Sequence, residues 1–356
     1  MLLMKTIEYS QIDEDKNDGN CVLIDVRSPE EFTNSTIPGA INIPLFDDEE
    51  RKSIGTTYVQ ESVEKAKKMG VEAVAKKLPA IYEKINELHK KYKSLVFFCA
   101  RGGMRSGSIV SLLTALGLRV YKLEGGYKGY RSYINKKLPE VMEEIRFVVI
   151  HGNTGMGKTK MLKTLSEQGY DTLDLEGCAN HRGSLLGSVG LGEQYSQKQF
   201  ESLVYESLKK RKSNLVFVEG ESKRIGKIIM ADFIFSKMVE GKHIRVTGDI
   251  DFRVKNITED YVESGNSELI EALNKLRRYI SDKNIDKYIS EVEAFNYDWV
   301  IKELMVKYYD PMYENNKYDW DLTLEVQSIE EACSKIIQWS RELIDLSVKE
   351  AALTVE

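Results

Sequence analysis

The chain has 356 residues, enough for two domains of ordinary size, and its 42% hydrophobic and 30% charged content is that of a soluble globular protein with a core in each half. A net charge of −5 excludes indiscriminate nucleic-acid binding, and four cysteines (Cys21, Cys99, Cys178 and Cys333) without a CxxC pair exclude a disulfide framework or a zinc ribbon. Apolar runs such as residues 95–98 and 147–150 are strand-length, far below the roughly 20 residues of a membrane span, and the early acidic N-terminus does not read as a secretory signal. The expected location is therefore the cytoplasm, with no membrane partner.

In chain order, residues 21–26, 41–45, 94–99 and 119–126 read as strands, with helices filling the charged stretch from Asp47 to Tyr92. This alternation predicts a small α/β domain over 1–137 with a mostly parallel sheet. Pro139 and its charge run predict a linker at 138–144. A second α/β unit over 145–263 follows, in the order strand, glycine loop, helix (157–167), strand (171–176), amphipathic helix (196–212), strand (215–220), as expected of a P-loop NTPase-like fold. From 264 to 356 the chain reads as a helical, charged region packed on the P-loop domain. Its aromatic residues, Tyr279, Tyr288, Tyr297, Trp299, Tyr308, Tyr309, Tyr313 and Trp320, are expected as helix-packing core in preference to base-stacking platforms.

Between Arg101 and Lys137 the chain is basic, with eight cations (Arg101, Arg105, Arg119, Lys122, Lys128, Arg131, Lys136, Lys137) against the single Glu124. That concentration predicts a polyanionic partner. Smaller clusters lie at 209–212, 222–227 and 275–278.

Two loops carry chemistry. In the first, Cys99 ends an apolar strand and is followed by Ala100, Arg101, Gly102, Gly103, Met104, Arg105 and Ser106, then by a helix. Loop amides, a helix N-terminus and two arginines are the environment that holds a thiolate and an anionic substrate, so Cys99, Arg101 and Arg105 are read as catalytic. In the second, Gly152, Asn153, Thr154, Gly155, Met156, Gly157, Lys158 and Thr159 form a Walker A pattern between a strand and a helix, which predicts phosphate binding. Lys158 is expected to reach the terminal phosphates and Thr159 to ligate magnesium. Glu219 and Glu221 stand at the next strand end where an aspartate is usual, which argues against fast ATP hydrolysis. Glu176, His181 and Arg182, in the motif at 175–184, and Arg224 are expected to support this site, while Cys178 has no activating neighbours.

The segments LIDVRSPEEF (23–32) and IPGAINIPL (37–45), with Asp25 and Arg27, resemble the rhodanese fold. Arg105 follows Cys99 by one position more than in sulfur-transferring rhodaneses. The resulting Cys-x5-Arg spacing resembles the phosphatase-like members of that fold and suits a tetrahedral anion. No aspartate is evident as a general acid. Together with the Walker loop, LEGCANHRGS, VFVEGESKRIG, YYDPMY (308–313) and the insertion at 54–70, these motifs closely resemble the tRNA 2-selenouridine synthase family over nearly the whole chain.

That resemblance implies conversion of wobble 2-thiouridine in tRNA to 2-selenouridine through S-geranyl-2-thiouridine. The co-substrates would be geranyl diphosphate and selenophosphate, with no covalent cofactor. The Walker loop is read here as the diphosphate cradle and the cysteine loop as the selenophosphate site. Two other readings stay open: a Cys-x5-Arg phosphatase, and a nucleotide-dependent kinase carrying a degenerate rhodanese module.

Overall fold

The computed structural model describes residues 4–15, 20–183, 187, 189–262, 266–313 and 318–353. The expected border at 263/264 lies outside the described residues, as do Ser184 at the end of its motif and the side chain of Tyr313. The chain divides into two compact units, Met1–Leu138 with Lys198–Tyr205, and Pro139–Gln197 with Glu206–Glu356.

The first unit is built on a five-stranded parallel sheet of β1 (Thr6–Ile7), β2 (Cys21–Asp25), β3 (Ile41–Asn42), β4 (Ser94–Phe98) and β5 (Val120–Leu123), in the order β1-β5-β4-β2-β3. Central β4 carries Leu95, Val96, Phe97 and Phe98, all fully buried, the uninterrupted apolar run that a parallel strand covered on both faces requires. Its pairing with β2 runs from Cys21↔Ser94 to Asp25↔Phe98, so the chain leaves β4 at Cys99 beside Asp25. Helices Asp48–Gln60 and Val63–Lys91 fill the charged stretch, and each starts with a side-chain N-cap, Asp47 and Ser62.

The segment expected as a linker is instead helical, because Gly126–Glu143 is one helix with Pro139 inside it. An interior proline costs about 3 kcal/mol. Here Leu138 and Met142 are buried on either side of it, and that burial holds the helix through the proline.

The second unit has a parallel sheet of β6 (Arg146–His151), β7 (Thr172–Leu173), β8 (Leu215–Glu219), β11 (Lys242–Thr247) and β12 (Leu322–Glu325), ordered β12-β11-β6-β8-β7, with β9 (Arg224–Ile225) and β10 (Ile228–Ile229) forming a separate antiparallel ribbon. Helix Lys158–Glu167 packs Met161, Leu162 and Leu165 against Val148, Ile150 and Phe217. The C-terminal region is mostly helical, and Tyr288, Tyr297, Trp299, Tyr308 and Tyr309 lie in or against its core as expected, whereas Tyr279 is exposed. It also returns β12 to the sheet edge and lays Ala332, Cys333 and Ile336 of the last helix on the same core as Met161. No described helix is long and apolar enough to cross a membrane.

Candidate active site

In the first unit Cys99 is 3% exposed, and its sulfur lies 3.3 Å from the Ser106 hydroxyl. Burial raises the thiol pKa. The Ser106 hydroxyl, the backbone N–H groups of Ser106 and Arg101, and the Arg105 charge outweigh it and hold the thiol below its ordinary value. Helix Met104–Ala115 begins at Gly103 without a side-chain cap, so its first amides face the loop.

The loop is clasped from the far side. Tyr127 N–H donates to the Cys99 carbonyl and Lys128 N–H to that of Ala100, both at 2.9 Å. Gly126, at φ +57°, lies so close that a Cβ would overlap the Cys99 carbonyl oxygen and the Gly102 nitrogen. Gly125 and Gly126, read from sequence as the end of a strand, are instead the end of a turn and the first residue of the helix Gly126–Glu143.

Arg105 is not a free cation. Its guanidinium forks onto Glu31, with Nη1 at 2.6 Å from Oε2 and Nη2 at 3.2 Å from Oε1. Glu31 also closes a capping box with Ser28 and meets Arg51 Nε at 3.4 Å. Half-burial raises the Glu31 pKa, but Arg105 and these neighbours bring it below the usual carboxylate value. Arg101 and Met104 are exposed. Asp25 and Arg27 act as a buried strut: Arg27 Nη2 bonds Asp25 Oδ2 and the Ser35 carbonyl, each at 2.6 Å, and its guanidinium stacks 4.3 Å from the Tyr127 ring. Asp25 is thereby committed to Arg27 and Thr36.

The expected basic surface is thinner than its sequence. Arg131 is buried and bound to Glu201, Ser202 and Asn135, and Arg105 is neutralised by Glu31. The smaller clusters are partly paired as well, through Arg211–Glu144, Lys223–Asp232 and Arg277–Asp282.

In the second unit the Walker loop joins β6 to helix Lys158–Glu167, and Gly155 (φ +85°) and Gly157 (φ +74°) take the left-handed turns it needs. Lys158 Nζ lies 3.4 Å from the Gly152 carbonyl and 4.0 Å from Glu221. Thr159 donates to Glu176 Oε2 at 3.0 Å, and the Glu176 N–H donates to Glu219 Oε1 at 2.8 Å. Residues following β6, the end of β8 and the short helix Leu175–Ala179 after β7 therefore meet at one sheet end, the usual place for a ligand in such folds.

These carboxylates are crowded. Glu219 is fully buried and its pKa is pushed well up by burial, Asp174 and Glu176. Burial takes Glu221 up to about 8 against the opposing pull of Lys158. Burial lowers the His181 pKa from its ordinary value against the opposing pull of Glu176, and the ring accepts from the Gly183 N–H at 3.2 Å. Arg182 turns to the Val189 carbonyl and Arg224 to that of Gly226, so neither is directed at the loop by these bonds. Cys178 is buried with its thiol pushed up, which removes it as a nucleophile.

Sequence reasoning missed Ser106, Glu31, Gly126 and His151. The Ser28-to-Glu31 spacing was the available sign for Glu31. His151, driven down to about 3 by burial, His243 and Lys158, sits 2.9 Å from His243 in a cluster with Tyr318 and Trp320. Nothing local in the sequence joins these residues.

Two family models match the chain. Residues 145–343 match the tRNA 2-selenouridine synthase AAA domain and residues 8–133 the rhodanese-like domain. A tRNA 2-selenouridine synthase of Nitrosomonas europaea is 37% identical over 246 residues, 67% of this chain and 63% of that protein. The enzyme of that name from Hydrogenovibrio crunogenus is 32% identical over 330 residues, covering 83% of this chain and 89% of its own. Among solved structures, the N-terminal domain of a putative ATP/GTP binding protein from Clostridium difficile 630 is 42% identical with a TM-score of 0.34, covering 36% of this chain and 98% of that one.

Proposed function

We propose, from the premise that the chain belongs to the tRNA 2-selenouridine synthase family, that it replaces the sulfur of wobble 2-thiouridine in tRNA with selenium. In this reading the 2-thio sulfur attacks C1 of geranyl diphosphate, the carbon–oxygen bond breaks, diphosphate leaves and the base loses a proton. The alkylated sulfur is then a leaving group.

The Cys99 thiolate attacks the phosphorus of selenophosphate, forming an S–P bond as the P–Se bond breaks. The selenide released takes up a proton, adds to C2 of the base and expels the geranylthiolate. Water hydrolyses the phosphocysteine to phosphate and regenerates the thiol. The observation that carries this reading is Cys99, a buried thiol stabilised as its anion by Ser106 and loop amides. The longer Cys-to-Arg spacing supports a tetrahedral phosphorus in that loop. Arg105 serves the phosphoryl oxygens by exchanging part of its bond to Glu31 for them.

The Walker loop would then hold the diphosphate of the prenyl donor, with Lys158 on its oxygens. Magnesium fits the hard oxygens of Thr159 and Glu176, 3.0 Å apart, and would neutralise the departing diphosphate. Among the described residues no group of three or more His, Cys, Asp or Glu is arranged to hold a metal ion.

The test is mass spectrometry of wobble nucleosides after incubating tRNA with the protein, geranyl diphosphate and selenophosphate. S-geranyl-2-thiouridine and 2-selenouridine should both form. Cys99→Ala should keep the first and lose the second, and Lys158→Ala should lose both. Geranylation intact in Lys158→Ala, with ATP turnover lost, would refute the assignment of the Walker loop. Aryl phosphate hydrolysis without tRNA would favour a phosphatase, and catalysis surviving in Cys99→Ser a kinase.

A further inference from the structure

The motif at 308–313 has no role in the chemistry above, yet Asp310 within it lies against the Walker loop. Its carboxylate accepts from Arg253 Nη1 at 3.0 Å, from Arg253 Nη2 at 2.6 Å and from Asn153 Nδ2 at 3.0 Å. Arg253, only 6% exposed, also donates through Nε to the Thr154 carbonyl at 2.9 Å. Its neighbour on helix Ile250–Val262, Asn256, donates to the Gly155 carbonyl at 3.0 Å. Three consecutive loop residues are thus gripped by one bracket.

The grip has a directional consequence. A trans peptide points its carbonyl and its N–H in opposite directions, so catching the Thr154 carbonyl turns the Gly155 N–H away from Arg253. Contact is close enough that a Cβ on Gly155 would come within 2.7 Å of the Arg253 carbonyl oxygen. A buried guanidinium in this place needs a counter-charge, and Asp310 supplies it. The π-helical turn Met305–Tyr309 directly precedes Asp310. One extra residue in a helical turn rotates the residues after it by about 100°, which sets the direction in which Asp310 leaves the helix.

We propose that Arg253 and Asp310 are positioning residues of the Walker loop. They preset its anion-accepting shape through Asn153 and Thr154 and do not touch the anion. This rests on reading the loop as a diphosphate site.

The experiment measures inorganic pyrophosphate binding by calorimetry, with melting temperature alongside, on the full chain and on Asp310→Asn, Arg253→Lys and Lys158→Ala. Asp310→Asn should weaken binding by the roughly 10- to 100-fold typical of residues that orient a binding shell. Arg253→Lys keeps a charge beside Asp310 but loses the Nε–H that reaches the Thr154 carbonyl. It should melt near the unaltered protein and still bind several-fold more weakly, whereas a purely structural ion pair would leave its affinity unchanged. Should Asp310→Asn fail to fold, Arg253→Lys decides alone. Unaltered affinity in Arg253→Lys, with binding lost in Lys158→Ala, overturns the proposal and spares the diphosphate reading. No pyrophosphate binding by the unaltered chain overturns both.

Discussion

Removing one hydroxyl beside Cys99 tests how the thiol is activated. In Ser106→Ala the oxygen 3.3 Å from the sulfur is lost, while the Ser106 backbone N–H and the Arg105 charge remain. Ser106 is fully buried, and the substitution leaves a methyl group in a site that already accepts the β-carbon. A hydrogen bond to a charged group is worth about 1.5 kcal/mol at the lower end, which is a factor of about ten in the thiolate-to-thiol ratio at a given pH. The sign is set by which form the hydroxyl favours. It stabilises the anion, so its loss moves the titration of Cys99 to higher pH.

The assay is ultraviolet thiolate absorbance across a pH series, taken as a difference from Cys99→Ala. Burial pushes the Cys178 thiol upward and takes Cys333 to about 11, which keeps both out of the neutral range. A midpoint that stays in place or falls would refute the argument that Ser106 holds the thiolate.

Other perturbations probe the two sites separately. Gly126→Ala forces a side chain into the Cys99 carbonyl at a positive φ. It should cost at least about 1–2 kcal/mol in urea unfolding and abolish selenium incorporation, whereas Gly107→Ala, with open space around it, should do neither. Glu31→Gln releases Arg105 from a competing carboxylate, so inorganic phosphate should protect Cys99 from alkylation at several-fold lower concentration; equal protection would show that Glu31 does not compete. Glu221, raised by burial to about 8, is protonated below that pH and repels anions above it. In magnesium-free buffer pyrophosphate affinity should therefore fall as pH climbs through about 8, and Glu221→Gln should flatten the profile.

Features written in contiguous residues are legible in the sequence. The strands β2, β4, β6 and β8 are apolar runs buried on both faces, and both glycine loops announce themselves through glycines and cations at close spacing. Chemistry of that kind depends on backbone amides and a helix start, which a few consecutive residues determine. Strand β12 was invisible because a sheet edge buries only Leu324 among its four residues. Pro139 misled because a proline costs the same locally whether or not neighbouring side chains are buried around it.

The electrostatic state of each loop belongs to tertiary structure. Glu31 neutralises Arg105 across 74 residues, and Asp310 reaches Asn153 across 157. No local pattern encodes such partners, since Glu31 and Asp310 sit on helices that only the folded chain lays against the two loops. By itself the sequence determined that this protein carries two glycine-rich loops on two α/β units and which residues compose them. Tertiary structure alone decided which of their charges are free to act, because a side chain's charge is set by what the fold brings within a few ångströms of it.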